Sequence, residues 1–195
     1  MYYRDQVYVC FDADEDMDYY RTMKMWVGNK NINFDFNNAH DLNTLRDGSS
    51  EETIKRKLRE RMNNAGLLVV LVGEKTRNLY KYVRWEIEIA LKDGIPIVVA
   101  NLNGKRSFDD HRCPAILDNE LALHVSFNSK VMQKAFDEWP REHYKFKAQG
   151  TSGDRFFVDQ VYEQLGLNKT QAQLEAERLN SLRDYLARKG QPFRF

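Results

Sequence analysis

Two short apolar runs, residues 67–72 and 95–100, constrain this chain more than any other feature, because neither holds a polar side chain. A strand with one wet face alternates apolar and polar residues, whereas a strand covered on both faces does not. Six residues is also far below the roughly 20 that cross a bilayer. Both runs therefore belong inside a sheet. Around them, strand-like and helix-like stretches alternate. Residues 7–11 predict a first strand, and 18–27 a helix with Tyr19, Met23 and Trp26 on one side. Residues 32–36 predict a weaker second strand. Residues 49–65 predict a helix, with Ser49 and Glu52 spaced as a capping box and Ile54, Leu58 and Met62 as its apolar stripe. The run 67–72 is the third strand. A helix over 79–92 carries Leu79, Val83, Ile87 and Ala90 on one side and ends at Gly94, where a terminal glycine belongs. Residues 95–101 and 121–127 predict the fourth and fifth strands, and 129–139 a helix closed by Pro140.

Alternation of this kind predicts a parallel sheet with helices on both faces. The expected architecture is a flavodoxin-like three-layer αβα fold with a five-stranded parallel sheet in the order 2-1-3-4-5. Its switch point would lie between the first and third strands, so the loops 12–17, 37–48 and 73–80 should build any site. The α/β domain is expected over 1–142. A polar linker or loop with Gly150, Ser152 and Gly153 follows over 143–153. Residues 154–195 form a helical extension, with helices near 155–165 and 170–189, packed on the domain or used in assembly.

A chain of 195 residues suits one domain with its own core. Thirty basic against 29 acidic residues give a net charge of +1, so no chain-wide field favours nucleic acid or an anionic membrane. Neither partner is expected. Cys10 and Cys113 are too few for a disulfide scaffold. The opening Met1-Tyr2-Tyr3-Arg4-Asp5 lacks the regions of a signal peptide, so the expected location is the cytoplasm. No G-x-G-x-x-G follows the first strand, and Gly73-Glu74-Lys75-Thr76 lacks the glycine spacing of a phosphate loop. His40, His111, His124 and His143 are scattered, with no metal-ligand spacing.

Asp12, Asp14, Glu15, Asp16 and Asp18 crowd the loop after the first strand. Such acids hold Mg²⁺ in phospho-receivers of this topology, or simply offset a helix dipole. A receiver needs an aspartate at the end of the third strand, where Val72-Gly73 stands, so the dipole reading is preferred. Lys55, Arg56, Lys57, Arg59 and Arg61 are interleaved with Glu51, Glu52 and Glu60, which fits a solvated helix face better than a phosphate-binding one.

Two segments carry a resemblance. One is Phe34-Asp35-Phe36-Asn37-Asn38-Ala39-His40-Asp41, leading through Arg46 into the capped helix. The other is the third strand with Gly73-Glu74-Lys75-Thr76 and Tyr82-Val83-Arg84-Trp85-Glu86-Ile87. With the first strand, they resemble Toll/interleukin-1 receptor (TIR) domains and, more closely, the TIR-like ThsB family of the bacterial Thoeris anti-phage defence system. The resemblance covers about residues 5–128. Its most specific element is the aromatic-x-x-x-Glu pattern, Tyr82 to Glu86. It implies an enzyme that cleaves NAD⁺ at the nicotinamide glycosidic bond. NAD⁺ is then a substrate, with no cofactor and no metal. The product would be ADP-ribose or a cyclic isomer that activates a partner effector. A phage-derived trigger and association of protomers are implied as well.

By resemblance the catalytic role falls on Glu86, whose carboxylate would stabilise an oxocarbenium-like ribose or orient its hydroxyls. Its bland alternative is an ordinary helix residue. Glu88 has Lys92 four residues on to pair with, whereas Glu86 has Ala90 there. Tyr82 and Trp85 flank Glu86 and would form a pocket wall. Phe11 and Asp12, at the expected switch point, are substrate contacts, with Phe11 stacking on a base or else plugging the core. Asp35, Asn37 and Asn38 would bind ribose or merely form a turn. Arg46 would hold pyrophosphate. Arg84 would contact substrate or pair with a neighbouring acid. Cys10 stands where many TIR domains carry serine, and Tyr82 where tryptophan is common. Two other readings compete. One is a catalytically silent nucleotide-binding or adaptor module on the same scaffold. The other is a nucleoside deoxyribosyltransferase-like N-glycosidic enzyme.

Overall fold

In a computed structural model, which describes residues 6–27, 50–79 and 81–169, the apolar runs lie side by side in one sheet. Its strands are β1 (Gln6–Cys10), β2 (Ala65–Val72), β3 (Ile97–Asn101), β4 (Ala122–Ser126) and β5 (Arg155–Phe156). All neighbours pair in parallel. The helices are α1 (Met17–Val27), α2 (Glu51–Met62), α3 (Tyr82–Asp93), α4 (Ser129–Ala148) and α5 (Asp159–Gln164). The α/β fold with a parallel sheet stands as the alternation predicts.

The strand order departs from expectation. Among the described residues it is β1-β2-β3-β4-β5, not 2-1-3-4-5. The strand predicted over 32–36 lies outside the described residues, and the fifth strand comes from elsewhere. Arg155–Phe156 pairs with Leu123 and His124 of β4, where a helix was expected to begin. The order is monotonic, so no switch point separates the described strands. A site at the carboxyl ends must be argued from the residues themselves.

Helix boundaries shift for local reasons. The cap of α2 is Ser50, whose Oγ accepts the Thr53 N–H at 3.3 Å; the Ser49 expected there lies outside the described residues. In α1 the buried side chains are Tyr20 and Met23, not Tyr19, which is 40% exposed, because Tyr20 stacks on Phe11. Pro140 does not end α4, which continues to Ala148. The first residues of the expected 143–153 linker are thus helical, and buried Trp139, Pro140 and His143 hold that stretch down. As expected, Gly94 ends α3 with a left-handed φ of 71°, its N–H reaching the carbonyls of Ala90 and Leu91.

The period-two alternation sorts each strand between two cores. Tyr8, Cys10, Leu68, Val70, Val72, Ile97 and Val99 face α2 and α3, meeting Leu58, Met62, Val83, Ile87 and Ala90. The intervening residues face the other side, where α4 crosses β2, β3 and β4. One irregularity sets the phase of β1. Gln6 pairs with Ala65 but Val7 pairs with Leu67, so Gly66 is skipped. Val158 onward forms a separate compact unit, in which α5 is described and Lys169 pairs with Asp159 at 2.9 Å. The helix expected over 170–189 lies outside the described residues.

The carboxyl end of β3 is shaped by a buried asparagine. Asn101 Nδ2 donates to the carbonyls of Lys105 at 3.0 Å and Ser107 at 2.8 Å, folding the following loop back on the sheet. Asn101→Ala strands both carbonyls. It should cost about 1–3 kcal/mol, read as a lower midpoint in urea denaturation with an unchanged slope.

Candidate active site around Glu86

The sequence Tyr82-Val83-Arg84-Trp85-Glu86-Ile87 is helical from its first residue. Most of one side is apolar, and that side turns inward. Glu86 goes with it and is only 8% exposed. A carboxylate there loses its water, a cost that must be met by donors and positive charge. One donor is Tyr8 of β1, whose hydroxyl gives a 2.7 Å hydrogen bond to Glu86 Oε1. The Cys10 thiol, two residues along the same face, lies against the same carboxylate and 3.8 Å from the Val83 carbonyl. Arg61 of α2 adds a positive field.

Burial is the largest influence on Glu86 and pushes its carboxyl above the usual range, while Cys10, Tyr8 and Arg61 pull it part of the way back. Burial and the Glu86 charge together drive the Tyr8 and Cys10 protons to be held more tightly, so both neighbours are neutral donors. The rim is aromatic. Tyr82 is 42% exposed and meets Trp85 edge-to-face at 5.7 Å. The Lys55 ammonium sits 4.8 Å from the centre of a Trp85 ring while pairing with Glu51 at 2.7 Å.

The stretch over residues 8–107 matches the family model of the Thoeris protein ThsB, TIR-like domain, about half of the 195-residue chain. The chain belongs to this family. Its setting is therefore Thoeris anti-phage defence. Tyr8 is the first residue of the matched stretch and Glu86 lies well within it, so the buried pair belongs to the part of the chain that defines the ThsB relationship.

The other expected site residues of this ThsB-type chain divide three ways. Tyr82 lies beside Glu86 on the rim. Arg84 also lies on α3, but its guanidinium pairs with Glu88 at 2.9 Å. Glu88 thus finds its partner four residues back, not in the expected Lys92. Phe11 and Asp12 lie at the end of β1, and the Phe11 ring is committed to Tyr20 of α1, with centroids 4.6 Å apart and planes within 20°. Period two turns Tyr8 and Cys10 toward Glu86, and Phe11 turns away from them. Asp12 is buried and folds its own loop: its Oδ1 accepts the Asp14 N–H at 3.1 Å and its carbonyl the Asp16 N–H at 2.8 Å. Asp35, Asn37, Asn38 and Arg46 lie outside the described residues. No helix among the described residues is long and apolar enough to cross a membrane.

Sequence reasoning missed Tyr8 and Arg61. Tyr8 read only as part of the first strand and Arg61 as part of a solvated face. A signal was present for Tyr8: a tyrosine in a strand covered on both faces must bring its hydroxyl a partner. For Arg61 no sequence signal distinguishes it from the other cations of α2.

Two of the expected loops do meet. Asp16 is buried against Gly73 at the end of β2, so close that a methyl group on Gly73 would collide with its carboxyl. Gly73 N–H donates to Thr76 Oγ1 at 2.8 Å, and Lys75 pairs with Glu15 across the two loops. Asp16 Oδ2 has no hydrogen-bond partner. Burial first, then the charges of Asp12 and Glu15, raise the Asp16 carboxyl to about 6 against the opposing pull of Arg112. A carboxyl whose pKa is raised by folding contributes stability below about pH 4, its unfolded value, and loses that contribution as pH climbs through about 6. Asp16→Asn should therefore stabilise the protein at pH 7.5 by roughly 1 kcal/mol once solvent screening is allowed for, and hardly at all at pH 4, measured by urea denaturation at both values. Gly73→Ala should destabilise the wild type by about 1–3 kcal/mol, and less in an Asp16→Ala background.

Proposed function

We propose that this ThsB-family chain is a TIR-like NAD⁺ glycohydrolase or ADP-ribosyl cyclase in which Glu86 is the catalytic residue. The observation that carries the reading is the Glu86 carboxylate. It is buried within the family-matched stretch, held at 2.7 Å by Tyr8 and rimmed by Tyr82 and Trp85. Ionised carboxylates are rarely buried unless paired, and a desolvated one interacts more strongly with developing positive charge than one in water.

The chemistry follows from that demand. The bond from ribose C1′ to the nicotinamide nitrogen breaks, and its electron pair neutralises the pyridinium as nicotinamide departs. Positive charge develops on C1′ and the ring oxygen. The Glu86 carboxylate stabilises that charge or accepts hydrogen bonds from the ribose hydroxyls. An oxygen of water attacking C1′ and losing its proton gives ADP-ribose. An atom of the same nucleotide attacking C1′ gives a cyclic isomer. A carboxyl raised above its ordinary range is also better matched to accepting the attacking group's proton near neutrality. Tyr82, which is 42% exposed, offers its ring to nicotinamide or adenine, with Trp85 packed behind it. The proposed product is a diffusible, ADP-ribose-derived signal, cyclic in form, that activates a partner effector in the Thoeris response.

A silent nucleotide-binding or adaptor role is the second reading. It is favoured by one specific observation: the 2.7 Å Tyr8–Glu86 bond satisfies Glu86 Oε1 as a structural pair would. Glu86→Gln separates the two. The amide keeps the side chain's shape and still accepts from Tyr8, but removes the negative charge. In lysates of phage-infected cells, wild type should consume NAD⁺ and yield an ADP-ribose-derived species by mass spectrometry. Glu86→Gln should lower that rate at least about 100-fold with an unchanged melting temperature. Equal NAD⁺ levels in wild type and variant, with and without infection, would select the silent module.

A further inference from the structure

The Tyr8 hydroxyl is a strong hydrogen-bond donor that β1 offers to the core facing α3, one pleat from the weaker Cys10 thiol. Tyr8 is 3% exposed and stands between Val7 and Val9, where phenylalanine would pack as well without a hydroxyl to satisfy. Burying that hydroxyl is costly unless it is bonded, and its bond goes to Glu86 Oε1, 78 residues away in sequence. Both partners sit on stiff elements. Tyr8 lies in a strand paired along its length with β2, opposite Leu68. Glu86 lies in the second turn of a 12-residue helix. A carboxylate has two oxygens and a broad terminal torsion, so a buried one is not oriented by packing alone. A fixed donor on one oxygen sets the direction of the other.

We propose that Tyr8 is the positioning residue of this site: its hydroxyl pins Glu86 Oε1 and thereby fixes the direction in which Oε2 meets the ribose. The proposal rests on the reading of Glu86 as catalytic. The groups that face this carboxylate are Tyr8 and Cys10 from β1 and Arg61 from α2; Arg84 and Glu88 of α3 pair with each other. Tyr8 is the one that delivers a short hydrogen bond. Cys10, buried and holding its proton, adds a thiol donor, weaker by chemistry than a phenol, to the same carboxylate, and Arg61 acts through its field. Removing the Tyr8 donor leaves burial less opposed, so the Glu86 proton should be held more tightly. The acidic limb of the rate profile should then move to higher pH.

The test is Tyr8→Phe, alone and combined with Glu86→Gln. In infected lysates Tyr8→Phe should lower kcat for NAD⁺ loss about 10- to 100-fold with KM within about twofold. The acidic limb of kcat/KM should shift to higher pH. In the Glu86→Gln background Tyr8→Phe should have no further effect. On purified protein, the Glu86 ¹³Cδ resonance should titrate at higher pH in Tyr8→Phe than in wild type. An unmoved Glu86 titration overturns the role of Tyr8 whether or not NAD⁺ is consumed. A rate loss that appears in KM, or that follows a fall in melting temperature with the limb unmoved, overturns it as well. Absence of NAD⁺ loss in wild type under infection, with the carboxyl titration still shifted, overturns instead the catalytic reading beneath it.

Discussion

A sheet covered on both sides leaves nowhere for polar atoms to be casual. Residues 67–72 are fully buried, as are 98–101, and residues 7–10 of β1 are nearly so. In such surroundings a carboxylate, an amide or a hydroxyl either finds a partner or bears the cost of several kcal/mol. The structure resolves this differently at different points. Asn101 is bonded into the loop it organises. Glu86 and Tyr8 satisfy each other. Asp16 keeps an oxygen without a partner, and its proton is held more tightly in consequence. His124, fully buried, carries two ring nitrogens without hydrogen bonds and is driven toward its neutral form, with its pKa down at about 4, chiefly by burial.

Much of the fold is written in local pattern. Unbroken apolar runs give β2 and β3 their interior place, and Gly94 ends α3 because a left-handed φ suits glycine. What pattern does not convey is pairing between distant segments. Nothing in Arg155-Phe156 announces a strand; two residues become one only because β4 presents a free edge. Pro140 is a helix breaker by rule, yet it sits inside α4, where packing of Trp139, Pro140 and His143 outweighs a lost hydrogen bond. The order of strands likewise depends on which segment takes each edge.

The candidate site is legible to a similar depth. Aromatic-x-x-x-Glu on a helix identifies Glu86, and helix periodicity explains why it shares a side with Val83 and Ile87. The same periodicity cannot show which strand residue waits opposite. Tyr8 lies 78 positions earlier, and only the assembled β1–α3 contact reveals that its hydroxyl is the carboxylate's partner. Phe11 shows the same limit. Its place at the end of a strand suits either a ligand contact or a core plug, and only the assembled fold shows its ring stacked on Tyr20 of α1.

The skipped Gly66 gives this division of labour a mechanical basis. Because β1 and β2 must pleat in step, the single unpaired residue between Ala65 and Leu67 decides which residues of β1 lie above the sheet and which below. Were β1 to slide by one position, Val7 and Val9 would be presented to α3, and the carboxylate would face two methyl-bearing side chains in place of a phenol and a thiol. Fidelity of strand alignment and fidelity of the site are therefore one property. Glycine at the skip, with no side chain to seat on either face, is what lets that alignment be set without distorting the layers above and below it.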